Sequence, residues 1–584
     1  MTGRNVGIVS LLLFVNCAAG HVVGARTHRV FCAPNLPCWP TAVQWQRFGS
    51  TLTGKLERPQ FPVNSANPFY IQDQSGGTES LGWLGAWTAA PSAYAVAAET
   101  AHDIVAVVNF AREHNLRVVV KGTGHDYLGR SNAADSLLIW THKMRQITTH
   151  DGFVPTSCTN SAGFPAVTLG AGTRWLEAYQ AVTAKNGRYV QGGGCLSVGA
   201  AGGFIQGGGF GSYSKKYGTG AAGMLEAEVV TADGKVLVAN RCQNRDLFWA
   251  LRGGGGGTFG VVTKVTLMTH PLPTNFGLFF GNISANTDAA FKELIEHFLA
   301  FYRERLANES WGEQVHVKPN NSLDLSMSFV ALNAQQADDV WQPFRTWIDQ
   351  HREKFTAKIA AVVVPASKVW DYNFLQQHVP DRIVKDTRPG EPEDRFWWAD
   401  NQQEVGSYWY AYQSRWIPMD RFDRAHSSSF ARTLFEASRH WPLEIHFNKG
   451  QAGASAEALM RDRETSMNPA LYRAAALLIA AAHGATGEGE TQRSRVTAAM
   501  KIIRDATPGA GSYVNETDYF EPNWQQEFWG ENYSKLLAIK RKYDPSGLFS
   551  CHHCVGSREF TPKENVTAGR VLPGRFFRGG TESR

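Results

Sequence analysis

Apolar positions between residues 99 and 115 recur at helical spacing, with Ile104, Val107, Val108 and Ala111 on one face. Arg117-Val118-Val119-Val120 follows as a short β-branched strand that runs straight into a glycine turn. The same alternation of patterns continues: a strand over 167–172, a helix over 175–186, and a hairpin of 225–230 with 236–238 around Asp233-Gly234. A strand over 260–268 closes this unit, punctuated by Pro271 and Pro273. From residue 274 the texture changes. A helical stretch over 289–305 alternates with strand-like stretches at 323–330, 359–364 and 443–447, which predicts an α+β unit on a mostly antiparallel sheet covered by helices. Residues before 90 are rich in Pro, Gly, Ser and Asn and read as an irregular entry segment. Past 496 the chain reads as returning to the first unit. The expected division is a leader 1–25, entry segment 26–90, first unit 91–273, inserted unit 274–495, return 496–555 and tail 556–584.

Length supports that division, since 584 residues exceed what one core holds. A 43% hydrophobic, 19% charged composition is that of a globular protein, and the formal charge of +6 is spread without a basic block. Nucleic acid is therefore excluded as a partner. Arg4, the apolar stretch 6–15 and a small-residue site at Cys17-Ala18-Ala19 or Val23-Gly24-Ala25 have the anatomy of a secretory leader. No later run is long enough to span a bilayer. The expected product is a secreted or periplasmic monomer without a membrane anchor. Losing Cys17 with the leader leaves seven cysteines, an odd number for an exported protein. If Cys195 is engaged elsewhere, six remain to pair. Cys32 with Cys38 reads as a local bridge, and Cys551-His552-His553-Cys554 as a tight bridge or, less readily, a zinc site.

Candidate chemistry concentrates in the glycine runs. Gly122-Thr123-Gly124-His125 places an imidazole, and Gly192-Gly193-Gly194-Cys195 a thiol, where the backbone can approach a ligand closely. Strand, glycine loop and ionisable tip together make an anion cradle. A second glycine-rich run, with Gly199, Gly202, Gly203, Gly207, Gly208 and Gly209, extends it. The aromatic cluster of Trp397, Trp398, Tyr408, Trp409, Tyr410 and Tyr412 reads as core first and as a substrate surface second.

Five segments carry a resemblance. Lys121 to Ser131, Gly192 to Gly199, Gly207 to Gly211, Asp246 to Gly253, and the ending Trp529-Gly530-Glu531-Asn532 with Tyr543-Asp544-Pro545 resemble the vanillyl-alcohol oxidase flavoproteins, in their berberine-bridge-enzyme-like branch. That resemblance implies an FAD-binding domain in two segments around an inserted substrate domain. It implies FAD bonded covalently through His125 and also through Cys195. Cofactor contacts would come from Gly122, Thr123, Gly124, Asp126 and Ser131, from Gly194, Val198, Gly199, Gly203, Gly207 and Gly208, and from Val229 and Asn532. No metal is implied. Two covalent links should raise the ring's reduction potential and favour hydride abstraction from a poor donor, with dioxygen as the second substrate.

There are departures. The family's Cys-Pro-Thr is Cys195-Leu196-Ser197 here, and its Tyr-x-Asn-Tyr is Tyr513-Val514-Asn515-Glu516. The stretch from Gly199 to Gly207 is one residue longer, and small Ala200 and Ala201 leave room for dioxygen. Tyr513 and Glu516 are thus catalytic candidates, Glu516 as a general base. Alternation over 444–448 puts Glu444, His446 and Asn448 on one face, so His446 is a second candidate base. The expected activity is oxidation of an alcohol-type small molecule by an oxidase. A dehydrogenase with another electron acceptor, or a secreted binding protein that keeps the fold, are the alternatives.

Overall fold

The computed structural model describes residues 31–62, 66–159 and 162–557, so the expected leader and nearly all of the expected tail lie outside the described residues. Thr100 opens the helix Ala101–Glu113 with a capping box: its hydroxyl accepts from Asp103 N, and the Asp103 carboxylate accepts from Thr100 N. Such a cap contributes about 1 kcal/mol. Ile104, Val107, Val108 and Ala111 are fully buried on the inner face, as their spacing requires. This helix is the crossover between Tyr94–Ala97 and Arg117–Lys121, which flank Ser136–Trp140 in a parallel arrangement; Lys55–Glu57 adds antiparallel at the edge.

A second, antiparallel sheet has the order Val236–Asn240, Met224–Val230, Val261–Pro271, Phe164–Gly170 and Ile147–Phe153. Its hairpin turns at Gly234 (φ +79°), with Val230 opposite Val236. The expected helix over 175–186 is the helix Trp175–Tyr179 continued by a wider turn over Gln180–Ala184.

The third sheet has nine strands and is the structural base of the inserted unit. Asn275–Ala285, Ser322–Val330, Trp311–Lys318, Leu443–His446 and Ala474–Gly484 are successive neighbours within it. Period-two alternation separates its faces. Phe279, Ile283, Met327 and Ile445 pack in one core with Phe291, Trp341, Leu434 and Met500 of the covering helices. Leu278, Phe280, Ser326, Ser328 and His446 point the other way, onto a cavity.

The entry segment is more ordered than its composition suggests. Ala42–Gly49 is a helix capped by Thr41, and Ser80–Trp83 joins the nine-stranded sheet parallel to Ser407–Pro418. Strands of two to four residues are too short to show alternation, which is why the sequence pattern misses them. Ser407–Pro418 is buried almost throughout. A register shift between Trp409 and Ala411 puts Trp409 and Tyr412 into the core beneath the glycine loops, while Tyr408 and Tyr410 pack into the helix-side core. The aromatic cluster is therefore chiefly core, and Trp398 also lines the cavity.

Disulfides join Cys32 to Cys38, Cys158 to Cys242 and Cys551 to Cys554, and Cys195 is the free cysteine among the described residues. Bonding Cys551 to Cys554 takes up both thiols that a zinc site there would need. Among the described residues, no helix is long and apolar enough to cross a membrane.

Candidate active site

A cavity of roughly 2050 Å³ runs between the glycine loops and the open face of the large sheet. Its floor begins where the strand Arg117–Lys121 gives way to Gly122. At Gly124 (φ +86°) a side chain would be strained, and a Cβ would lie 3.3 Å from the Gly77 carbonyl. The buried Lys121 ammonium donates to the carbonyls of Gln74 (3.1 Å), Ser75 and Gly77 (2.8 Å), and burial pushes its pKa down to about 7. These bonds hold the segment that carries Glu79 against the loop, where Glu79 N also donates to Gly124 O at 3.2 Å. Downstream, the Asp126 carboxylate accepts from Arg130 N and Arg130 Nε and so closes the turn that presents Ser131 to the cavity.

His125 sits at the tip. Its Nε2 lies 2.9 Å from Ser197 Oγ and 3.2 Å from Glu79 Oε2. Burial pushes the imidazole pKa down to about 3. Ser197 Oγ is in turn 3.5 Å from Cys195 Sγ, so one hydroxyl bridges the imidazole and the thiol. Burial, then the charges of Glu404 and Glu79, raises the Cys195 thiol to about 12 against the pull of Ser197.

The second loop is fixed from behind. Trp175 N donates to Val198 O and Tyr179 OH to Gly193 O, and a Cβ on Gly192 would stand 2.4 Å from the Trp175 ring. Gly199 N donates to Thr123 Oγ1 at 3.1 Å, which ties the two loops together. In contrast, a Cβ on Gly194, Gly202 or Gly203 would meet no atom within 4 Å and would project into the cavity. Backbone left bare there is what a flat ligand lying on the loops requires, so the residues fit FAD.

Across the cavity stand Tyr513, Asn515, Glu516, His446, Asn448 and Lys449. Tyr513 OH accepts from Gly209 N (3.2 Å) and Asn515 Nδ2 (3.0 Å), and burial together with Glu516 raises its pKa. Lys449 Nζ pairs with the Glu516 carboxylate. His446 Nε2 is 3.3 Å from Glu444 Oε2; burial opposes ionisation of Glu444, but the His446 contact together with the His316 and Lys449 charges lowers its pKa. The half-buried Glu404 accepts from Tyr127 OH at 3.2 Å, and its desolvation, with Glu516 and Glu444 nearby, raises its pKa.

Comparison with known proteins places the chain in a family. A family model for an FAD binding domain matches residues 91–240, and one described as berberine and berberine like matches residues 512–556. The chain is 32% identical to the FAD-linked oxidoreductase easE of Arthroderma otae, over 92% of this chain and 91% of the relative. With the VAO-type flavoprotein oxidase VAO615 of Thermothelomyces thermophilus it shares 30% identity over 94% of this chain and 97% of the relative. This chain belongs to the VAO-type, berberine-bridge-enzyme-like FAD-linked oxidoreductases. The fold agrees: the crystal structure of MtVAO615 from Myceliophthora thermophila C1 superposes with a TM-score of 0.73 at 27% identity, covering 91% of this chain and 97% of that one. Glucooligosaccharide oxidase from Acremonium strictum, described as holding 6-S-cysteinyl, 8α-N1-histidyl FAD, shares the fold at 20% identity and a TM-score of 0.64, over 85% of this chain and 97% of that one.

In this FAD-linked oxidoreductase the cavity wall gathers Gly122, Thr123, Gly124, His125, Asp126, Ser131, Gly194, Cys195, Val198, Gly199 and Gly203 with Tyr513, Glu516 and His446. Four other candidates lie off that wall. Gly207 faces the Asn515 amide, and Gly208 (φ +134°) faces Met467. Val229 is core, paired with Leu237 and Val262. Asn532 Nδ2 donates to Met467 O at 2.8 Å. Sequence reasoning overlooks Glu79, Tyr127, Glu404 and Lys449. Lys449 had a usable signal: it directly follows the polar-faced strand that ends near Asn448.

Proposed function

We propose that the protein is an exported oxidase in which FAD is attached at both His125 and Cys195, and that it oxidises an alcohol-type small molecule. The observation carrying this reading is that His125 and Cys195 both line the cavity that Glu516 and Lys449 also line, joined from behind by the buried Ser197 hydroxyl between His125 Nε2 and Cys195 Sγ. Bound FAD supplies the acceptor for hydride, with dioxygen as terminal oxidant and hydrogen peroxide as product. Glu516 takes the substrate hydroxyl proton at a carboxylate oxygen, with Lys449 orienting that group. Tyr513 and Asn515 position the backbone that carries it. His446, held by Glu444, is the second base within reach of the cavity. Three disulfides and the leader-like N-terminus support export.

Acid precipitation tests the attachment. Yellow colour should stay with the pellet, persist in either His125→Ala or Cys195→Ala, and leave in the double variant. Colour released from the parent protein ends the covalent reading and keeps the family. Anaerobic reduction by substrate followed by air tests the oxidase: flavin that stays reduced for many minutes makes the protein a dehydrogenase instead.

A further inference from the structure

We infer that Glu79 is the proton acceptor that prepares His125 for attachment of FAD. The inference rests on the covalent reading above and adds a residue to it from outside both flavin loops. Glu79 lies beneath His125, its side chain 1% exposed, with Oε2 3.2 Å from Nε2. Its backbone is fastened on both sides, because Glu79 N donates to Gly124 O and Gly406 N donates to Glu79 O. The carboxylate therefore has a fixed position under the imidazole.

Both close oxygens, Glu79 Oε2 and Ser197 Oγ, lie on Nε2. Ser197 Oγ is the hydrogen-bond partner of Nε2, and Glu79 Oε2 is buried beside it with no hydrogen-bond partner of its own among the described residues. With Glu79 ionised, a ring proton at Nε2 faces that unpartnered oxygen, and Nδ1 keeps the free lone pair. Nδ1 is thus the nitrogen set to form the bond. When the Nδ1–C bond to the ring methyl of FAD forms, the methyl loses one proton and the imidazole loses its Nε2 proton to Glu79. The two electrons released by joining N–H to C–H pass through the flavin to dioxygen. The balance is one N–H and one C–H consumed, one N–C bond made, and one hydrogen peroxide produced.

Burial gives Glu79 a carboxyl pKa well above the usual value, and the nearby Glu404 charge raises it further. The titratable groups facing it are His125, Glu404 and Cys195. An acceptor with raised pKa must be ionised to work, so attachment should be slow at low pH and accelerate as pH rises through that pKa.

The test uses full-length protein in a Cys195→Ala background, so that only the histidyl link is counted. Purified protein is incubated with FAD in air between pH 5 and 9, and pellet-bound flavin and the mass of the His125 peptide are followed over time. Cys195→Ala should link FAD with a rate that rises with pH. Adding Glu79→Gln should retain FAD binding yet slow linkage by roughly 100-fold, as loss of a positioned base does, and flatten the pH dependence. Glu79→Asp, which keeps the acid but lengthens the gap, should link slowly and keep the dependence; it decides the matter if the Gln variant takes up no FAD. Equal linkage in the Gln variant, a pH rise that survives in it (making Glu404 the titrating group), or fast pH-independent linkage in the Asp variant overturns the role of Glu79. Absence of linkage in Cys195→Ala itself overturns His125 attachment, a separate failure.

Discussion

Gly207 tests whether the second glycine run cradles cofactor throughout or serves packing in part. A Cβ on Gly207 would lie 2.4 Å from Asn515 Nδ2 and 2.6 Å from its Oδ1, inside contact distance of both. The backbone there is helical, so alanine adds no φ strain. Relief requires the Asn515 amide to move, and that amide donates to Gly203 O at 2.8 Å and Tyr513 OH at 3.0 Å. Two lost hydrogen bonds cost about 1 kcal/mol each, and residual overpacking adds about 1 kcal/mol or more. Gly207→Ala should therefore destabilise by about 3 kcal/mol, and Asn515→Ala, which forfeits the same bonds without crowding, by about 2 kcal/mol. Truncating Asn515 removes the obstacle that the added methyl of Gly207→Ala meets. The double variant should sit near the Asn515→Ala level, giving a coupling of about 3 kcal/mol. Urea-unfolding midpoints at matched m-values read this out, with bound flavin measured alongside. FAD content should hold while turnover falls, because Glu516 follows Asn515 directly. Strictly additive destabilisation, or loss of FAD with no change in midpoint, would refute the packing role and return Gly207 to the cofactor.

Three further outcomes follow from the geometry. Glu516→Gln should slow anaerobic flavin reduction by roughly 10²–10⁴-fold without loss of bound flavin; if His446→Ala shows that loss and Glu516→Gln does not, His446 is the base. Burial, then the Arg461 and Arg188 charges, pushes the His270 pKa down to about 3, so between pH 6.5 and that value the unfolded imidazole binds a proton the native one refuses. Stability should fall as pH drops through that window by about 1.4 kcal/mol per unit from this group, and His270→Phe should flatten the slope of the unfolding free energy between pH 6 and 4.5. Cys158 and Cys242 are bridged across a sequence separation of 84, so Cys158→Ala with Cys242→Ala should cost about 4.5 kcal/mol by loop entropy. A shift in non-reducing denaturation midpoint below about 1 kcal/mol would mean that the unfolded chain is already compact there.

What the sequence discloses depends on how local each feature is. The helix Ala101–Glu113 and the loop after Lys121 were legible because the cap, the apolar face and the glycines are contiguous, and each works through its neighbours in the chain. His125 and Cys195 were legible for the same reason, since each stands at the end of a glycine run. Glu79, Glu404 and Lys449 were not. Each reaches the site through a tertiary pairing: Glu79 by a backbone bond to Gly124, Glu404 by the Tyr127 hydroxyl, Lys449 by the Glu516 carboxylate. Glycine itself is ambiguous in a sequence, for the absence of a side chain serves a ligand and a neighbouring side chain equally. Gly203 opens onto the cavity and Gly207 onto Asn515, four positions apart in one run. The Cys-Leu-Ser departure shows the opposite limit. A hydroxyl at position 197 keeps the oxygen that the family's threonine would offer, and here that oxygen links the His125 imidazole to the Cys195 thiol. The sequence difference is large, and the chemical one is small.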